Sequence, residues 1–326
     1  MKKLNLKKVA AMSLALTLSS MLLFGCSSEK EDTTTEAKTD AATTEAAATE
    51  SEYDNSYCAD GVPSAKLTEL RESGTLKVGS SGDAPFAYMD QDTGEFSGVD
   101  AEIIKEAAKR LGIENVEMEL IPFSELILNL NSSNIDIIAD CMYIRADRAE
   151  QVYLGEIWYT QGGGLLLPED SAITSIEDFD PDSTVIGFTP GTVWQTTVEG
   201  WAADGLIKEA RATGDQSESI VALQYDKIDG FLTDSTVLEN LFGNEPDAVT
   251  GLKMAEGYKD DETTIGRIAP SVTFDNIAFM KEVDAVVAEL REEGYIDQVF
   301  EDYNLDPALH MITNEERTHD INTKTE

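Results

Sequence analysis

Residues 135–168 read IDIIADCMYIRADRAEQVYLGEIWYTQGGGLLLP, and this stretch decides the fold. It begins with an isoleucine-rich run from Ile135 to Ala139, which turns at Asp140. A run of this length bounded by turn residues is typical of a parallel strand that is covered on both faces. In an open α/β sheet, ligands bind beyond the carboxyl ends of such strands. The residues after the turn, with Arg148 among them, are therefore candidates for a binding site.

The sequence on either side of this stretch alternates strands with helices. A strand begins at residues 76–78, a helical apolar face runs from Val99 to Leu111, and a second strand follows at residues 116–121. This order predicts a parallel sheet with right-handed crossovers. The same alternation returns from Val185 onward and predicts a second lobe. The tail after Pro307 is expected to be frayed.

Arg148 has two interpretations. Its guanidinium is a planar, permanently charged fork that suits a carboxylate ligand. The alternative is a surface ion pair with Asp147 or Glu150, which is the commoner place for an arginine.

Two further positions in the second lobe are equally open. Gly191 and Thr192 precede a helix, where unpaired backbone N–H groups could hold a carboxylate or could simply be capped. Asp234 ends a strand, where it could hold a ligand ammonium or cap the following helix. The spacing of the residues does not choose between these alternatives.

The first 25 residues combine four lysines with an apolar stretch, which is typical of an export signal. The signal ends in Leu22-Leu23-Phe24-Gly25-Cys26, which resembles a bacterial lipobox and predicts a lipid on Cys26. Residues 26–56 hold almost no large apolar side chain before Tyr53. They are expected to form a disordered tether.

Charge and composition exclude several classes of function. The net charge of −39 argues against binding nucleic acid or anionic lipid, both of which need basic patches. Besides Cys26, the cysteines are Cys58 and Cys141, which could form a disulfide or stay buried and inert. Both histidines lie near the C-terminus, and we expect neither a metal site nor a cofactor.

The segment Met142–Arg148, followed by Leu154–Tyr159, resembles the family 3 solute-binding proteins, the polar amino-acid receptors of ABC importers. Other landmarks occur in the family's order between residues 74 and 305: Gly74–Gly79, Pro85-Phe86, Gly98–Asp100, Gly191-Thr192, Ile228–Gly230 with Asp234, and Gly294–Ile296. The resemblance implies a two-lobed α/β fold of the type II periplasmic-binding-protein class, with two crossing strands as a hinge. Residues 57–163 and 268–326 would form lobe I, and residues 164–267 would form lobe II.

The resemblance also implies roles for particular residues. Arg148 would take the α-carboxylate of an amino acid, helped by Gly191 and Thr192, and Asp234 would take the α-amino group. The remaining candidates are Phe123 in the cleft wall, Thr189 and Thr233 where the family varies with specificity, and Asp83, Tyr88 and Tyr143 near the ligand.

Three positions depart from the family pattern. Asp83 stands where an aromatic residue commonly covers the ligand, although Tyr88 could substitute for it. Tyr143 replaces a small hydroxyl residue, and Arg145 replaces a threonine. Asp83 would suit a second positive charge on the ligand, whereas Arg145 would suit an extra anionic group, so the sequence leaves both open.

The function implied by the resemblance is that of a monomeric, lipid-anchored receptor on the outer face of the cytoplasmic membrane, as on a Gram-positive cell. It would bind an amino acid or a related zwitterion and deliver it to the permease and ATPase subunits of an ABC transporter. One alternative is an enzyme similar to cyclohexadienyl dehydratases, with Asp83 or Asp234 as a proton donor. Another is a surface solute sensor without transport.

Overall fold

The computed structural model describes residues 53–258 and 265–325. The predicted export signal, the lipidated Cys26 and the tether up to residue 52 lie outside these residues. The strands are β1 (Thr75–Ser80), β2 (Tyr88–Met89), β3 (Phe96–Ser97), β4 (Asn115–Leu120), β5 (Ile137–Ile138), β6 (Tyr153–Leu154), β7 (Tyr159–Gln161), β8 (Gly163–Pro168), β9 (Val185–Phe188), β10 (Glu209–Ala212), β11 (Gly230–Asp234), β12 (Leu252–Met254), β13 (Gly266–Ile268) and β14 (Ser271–Val272). The α-helices are α1 (Ala65–Ser73), α2 (Val99–Arg110), α3 (Leu126–Asn131), α4 (Ala146–Ala149), α5 (Val193–Ala203), α6 (Gln216–Gln224), α7 (Ser235–Asn244), α8 (Ile277–Glu292), α9 (Tyr295–Asp302) and α10 (Pro307–His310).

Two five-stranded sheets organise the chain into two lobes. The first sheet has the order β4-β1-β5-β14-β6, and the second has the order β10-β9-β11-β8-β12. Within each sheet the three strands nearest the first-named edge are parallel, and the other two run antiparallel to their neighbours. The strand predicted at residues 135–139 is β5, and both of its residues are fully buried. The prediction of two α/β lobes is confirmed.

Two connections run between the sheets, as the prediction of crossing strands requires. β7 leads into β8 and β13 leads into β14, and β7 pairs with β13 in antiparallel fashion, with Tyr159 opposite Ile268. The predicted lobe boundary near residues 163–164 falls at the start of β8, and the boundary near residues 267–268 falls within β13. These paired strands place the site residues of both lobes around one cleft.

The folded part begins a few residues before the predicted boundary at residue 57. The Cζ atom of Arg71, on α1, lies 4.6 Å from the centre of the Tyr53 ring. Its Nη1 atom donates a hydrogen bond of 2.7 Å to Asn55 Oδ1. The end of the predicted tether therefore packs on lobe I, because Arg71 offers it both a cation and a donor.

The prediction of a frayed C-terminal tail is wrong. The side-chain amide of Asn322 accepts from the backbone N–H of Leu154 at 3.0 Å and donates to the carbonyl of Leu154 at 2.8 Å. The N–H of Ile157 donates to the carbonyl of Arg317 at 2.7 Å. Since β6 is the edge strand of the first sheet, the tail satisfies backbone groups that would otherwise lack partners there.

We expect the Asn322→Ala variant to lower the free energy of unfolding by about 1–3 kcal/mol, because it leaves two backbone groups of Leu154 without their partner. Thermal or urea unfolding measures this loss. Thr318→Ala is the matched control, since Thr318 is an exposed tail residue. Equal stability of the two variants would mean that the tail is not docked in solution.

The two cysteines in the described residues do not pair. Cys58 and Cys141 are both free and buried, so the disulfide alternative is excluded. Burial raises the pKa of the Cys141 thiol well above its ordinary value, which keeps it protonated. Within residues 53–258 and 265–325, the helices are too short and too polar for any of them to cross a bilayer.

Candidate functional site

A cavity of about 30 Å³ lies in the cleft between the two sheets. Residues from both lobes line it: Ser81, Asp83, Phe86, Phe123, Asp140, Cys141, Tyr143, Arg148, Thr189, Thr192, Val193, Trp194, Gln216, Thr233, Asp234 and Val237. The cavity has room for about one water molecule. It lies where the loops that follow β1, β5, β9 and β11 converge, which is the edge that the sequence predicts.

Eight of the ten predicted site residues line this cavity, namely Asp83, Phe123, Tyr143, Arg148, Thr189, Thr192, Thr233 and Asp234. Tyr88 does not. It lies on β2 and faces a separate polar depression that Met89 and Tyr303 also line. Gly191 lines a neighbouring groove rather than the cavity, together with Ser124.

Arg148 is buried at the cavity and has no anionic partner among residues 53–258 and 265–325. Arg148 is only 5% exposed, and its guanidinium donates hydrogen bonds to the carbonyls of Tyr143 at 2.8 Å and Gly191 at 2.9 Å. Asp147, the alternative ion-pair partner, pairs with Arg145 instead, at 2.9 Å. No other carboxylate in the described residues forms an ion pair with Arg148. Its charge is therefore available to an anion in the cleft.

The surroundings of Arg148 favour an anionic ligand further. The Cζ atom lies 5.4 Å from the centre of the Phe123 ring, which orients the guanidinium. Burial lowers the pKa of Arg148 to about 10, so the side chain stays protonated at neutral pH. A guanidinium has five N–H donors, and the two carbonyls occupy only part of them.

The two lobes come into close contact at Gly191. Its φ angle is +84°, and a Cβ atom at this position would lie 2.8 Å from the Cα atom of Ser124 in the opposite lobe. Only glycine allows both this backbone conformation and this approach. The contact brings the Gly191 carbonyl within reach of Arg148 and joins the lobes beside the cavity.

Asp234 points into the cavity and does not cap α7 through its side chain. Its Oδ1 atom accepts hydrogen bonds from the Tyr143 hydroxyl at 2.6 Å and from Trp194 Nε1 at 3.1 Å. The Tyr143 and Trp194 rings meet edge to face, with centroids 5.9 Å apart. Gly266, on β13, leaves the space that the Tyr143 ring occupies. Two aromatic side chains therefore hold the Asp234 carboxylate: Tyr143 reaches it across the cleft, and Trp194 reaches it from its own lobe.

Residues 76–306 match the bacterial extracellular solute-binding proteins, family 3. The chain belongs to this family. It is 27% identical to the glutamine-binding protein of Geobacillus stearothermophilus over 208 residues, which are 59% of this chain and 78% of that protein. It is also 27% identical to the arginine-binding extracellular protein ArtP of Bacillus subtilis over 242 residues, 70% of this chain and 86% of the relative.

Solved structures share the fold of this chain. A mutant of ArgBP from T. maritima is 23% identical, with a TM-score of 0.64 over 73% of this chain and 98% of that chain. The ancestral amino acid-binding protein AncCDT-1, described as a precursor of cyclohexadienyl dehydratase, has a TM-score of 0.62 at 23% identity, over 74% of this chain and 99% of its own. This family 3 chain therefore has the two-lobed type II fold.

A buried carboxylate fixes the turn that delivers Asp140 and Tyr143 in this family 3 protein. Cys141 has a φ angle of +46°, which is unusual for a residue with a Cβ atom. Its N–H donates to Asp100 Oδ2, on α2, at 2.6 Å. Burial raises the pKa of Asp100 to about 7. Through Asp100, α2 therefore holds the strained turn at Cys141 in place.

Several residues that line the cavity were not among the predicted site residues. They include Ser81, Phe86, Asp140, Val193, Trp194 and Gln216. Asp140 carried a usable signal, since it directly follows the predicted buried strand. Trp194 lies in the first turn of α5. Thr192 occupies the N-cap position of this helix, but its side chain does not cap the helix, because its hydroxyl donates to the carbonyl of Thr189 at 2.7 Å.

Proposed function

We propose that this chain is a receptor that binds an amino acid or a related zwitterion between its two lobes and delivers it to an ABC permease. The observation that carries the proposal is that Arg148 and Asp234 line the same cavity. Arg148 is buried there and has no carboxylate partner in the described residues. An amino acid carries one carboxylate and one ammonium group. The cleft offers one group of the opposite charge to each of them.

In this proposal the α-carboxylate binds Arg148 and the start of α5. The Thr192 side chain leaves the first N–H groups of that helix uncapped, and Thr192 and Val193 both line the cavity. A helix N-terminus favours a negative group. The α-amino group binds Asp234, where it competes with the Tyr143 hydroxyl for the carboxylate.

Binding also requires the cleft to open. An amino acid is much larger than one water molecule, and the cavity of about 30 Å³ is bounded by Tyr143 and Trp194. Hinge motion at the paired strands β7 and β13 would separate the lobes, and closure would bury the ligand. Membership of the solute-binding family supports delivery to a permease and its ATPase as part of this proposal.

We further propose that the protein is a monomeric lipoprotein, exported and anchored through Cys26 to the outer face of the cytoplasmic membrane. The basic and apolar N-terminus supports an export signal, and the sequence before Cys26 supports lipidation. Residues 26–56 would tether the receptor within reach of its transporter. The mass of the mature N-terminal peptide tests the lipid directly.

A thermal-shift screen of the whole chain tests the receptor function. We expect at least one amino acid, at about 100 times its dissociation constant, to stabilise the protein by about 2.7 kcal/mol. The panel includes all common amino acids, opines and cyclohexadienyl acids. Absence of any shift with amino-acid-like compounds would contradict the proposal.

The alternative function is that of a dehydratase, and one observation favours keeping it as a candidate. Asp83 is a cavity residue whose pKa is raised by burial, and a protonated carboxyl is a suitable proton donor. Turnover of prephenate or arogenate by the purified chain would support this alternative over the receptor. A surface sensor without transport would differ from the proposed receptor in having no permease as its partner. Uptake of the ligand by membranes that carry the permease and ATPase, in the presence of this protein, would exclude the sensor.

A further inference from the structure

Two carboxyl groups meet at one end of the cavity. Ser81 Oγ lies 2.6 Å from Asp140 Oδ2 and 2.9 Å from Asp83 Oδ2. The backbone N–H of Ser81 donates to Asp140 at 2.7 Å, and the Ser80 hydroxyl contacts Asp140 Oδ1 at 2.9 Å. Asp140 is only 2% exposed. The loop after β1, which carries Asp83, and the turn after β5, which carries Asp140, therefore meet at Ser81 and present both carboxyl groups together.

This cluster has more acceptors than hydrogens. The Ser81 hydroxyl has one hydrogen and two carboxylate acceptors. The Ser80 hydroxyl also has one hydrogen, which Asp140 shares with the carbonyl of Ala87. When both carboxyl groups are ionised, an additional donor is needed to satisfy these oxygens. An ammonium group brings three donors and a guanidinium brings five, together with a positive charge.

No cation of the described residues fills this role. Neither Asp83 nor Asp140 forms an ion pair with a lysine or arginine in residues 53–258 and 265–325. Burial raises the pKa of both carboxyl groups, Asp83 raises that of Asp140, and Asp215 in the opposite lobe raises that of Asp83. Ionisation of both carboxyl groups is therefore costly unless a positive group joins them.

The charge of the whole cavity agrees with this requirement. Asp83, Asp140 and Asp234 line it as acids, and Arg148 is the one positively charged residue that lines it in the part of the chain that the structure describes. A neutral zwitterion would match Arg148 and Asp234 but would bring nothing to the other two carboxyl groups. Arg145, the residue that suggested an anionic ligand, lies outside the cavity, where it pairs with Asp147 and contacts Thr196.

We propose that the ligand carries a second cationic group, and that Asp83 and Asp140 bind it at the end of the cavity formed by the loop after β1. This inference rests on the proposed receptor function. Two independent features point to the ligand: a buried guanidinium and a buried carboxyl pair, neither of which forms an ion pair with a partner of opposite charge in the described residues. The ligand class is thus a basic amino acid or a close analogue with an ammonium, guanidinium or amidinium side chain.

Pairs of nearly isosteric probes test the inference by calorimetry on the whole chain at pH 8. L-arginine is compared with L-citrulline, in which a neutral urea group replaces the guanidinium, and L-lysine is compared with L-norleucine, which lacks the terminal ammonium group. We expect the charged member to bind on the order of 100-fold more tightly. Equal affinity within both pairs would overturn the inference and leave the receptor function intact. Binding of no amino acid at all would overturn the receptor function itself.

Variants assign the effect to the carboxyl pair. Asp83→Asn, which keeps the shape of the side chain, should reduce the preference for arginine over citrulline to about 10-fold or less. Asp92→Asn removes an exposed carboxylate from a turn outside the cavity and should leave the preference unchanged. An Asp83→Asn variant that melts normally but loses affinity for arginine and citrulline equally would contradict the assignment. So would one that keeps the full preference.

Discussion

Replacing Arg148 by methionine should weaken the binding of every amino acid by about 2–5 kcal/mol, which is at least about 30-fold. Methionine keeps much of the apolar stem beside Phe123 but removes the charge that faces the cavity. The ligand carboxylate would then be buried without a counterion, which is the costly half of a broken ion pair. Calorimetric titration with the amino acid found in the screen measures the loss.

The second arginine of the same segment is the matched control. The side chain of Arg145 is 30% exposed, pairs with Asp147 and does not line the cavity. We expect Arg145→Met to leave the affinity within about 3-fold of the parent, as for a rim charge. Because Arg148 also donates to Tyr143 and Gly191, the melting temperature of each variant is measured alongside. Unchanged affinity of a folded Arg148→Met variant would remove the central assignment.

The second large effect concerns stability against pH. Asp284, on α8, is 6% exposed, and its Oδ1 atom accepts a hydrogen bond from the N–H of Glu156 at 2.9 Å. Burial raises the pKa of Asp284 to about 8; the hydrogen bond from the Glu156 N–H lowers it, the charge of Glu156 raises it, and the nearby Arg317 lowers it. Burial also raises the pKa of Asp100 to about 7. In an unfolded chain both groups have a pKa of about 3.9.

The sign follows from proton binding. Between about pH 4 and pH 8 the folded state holds protons that the unfolded state has released, so stability falls as the pH rises through this range. Burial lowers the pKa of His319, which acts in the opposite sense, but only below its ordinary value of about 6.5. From pH 6.5 to pH 8.5 we therefore expect the free energy of unfolding to decrease by on the order of 2 kcal/mol. Urea unfolding at the two pH values measures it.

Asp284→Asn separates this effect from the general acidity of the chain. An amide oxygen can still accept from Glu156, and the amide has no proton to lose, so the variant should be more stable at pH 8.5 and less dependent on pH. Asp92→Asn removes one exposed negative charge from a protein with a net charge of −39 and should change the slope little. Parallel pH profiles of Asp284→Asn and the parent chain would contradict the assignment.

The sequence predicted the parts of the molecule that depend on local pattern. The isoleucine run at residues 135–139 identified β5 because a strand covered on both faces has to be apolar throughout. The alternation of strands and helices predicted both lobes, because this alternation is also a local pattern in the sequence. Arg148 and Asp234 were located by their positions just beyond predicted strands, where side chains of an α/β sheet face the ligand edge.

The sequence could not predict what depends on side-chain direction or on distant partners. Asp234 was equally compatible with capping α7, and the contact with Tyr143, ninety-one positions away, turns it into the cleft. Asp83 and Arg145 were equally good specificity candidates until one faced the cavity and the other did not. The polar tail looked frayed because Asn322 finds its partner at Leu154, on an edge strand far back in the chain.

The hydrogen bonds of Asn322 also bear on how copies of the protein meet one another. An uncovered edge strand can recruit a strand from a second molecule and begin aggregation. By occupying both backbone groups of Leu154, the tail removes one such pairing point from β6. Many such edges would lie close together in a concentrated solution, so we expect the contact between Asn322 and Leu154 to reduce edge-to-edge pairing between molecules.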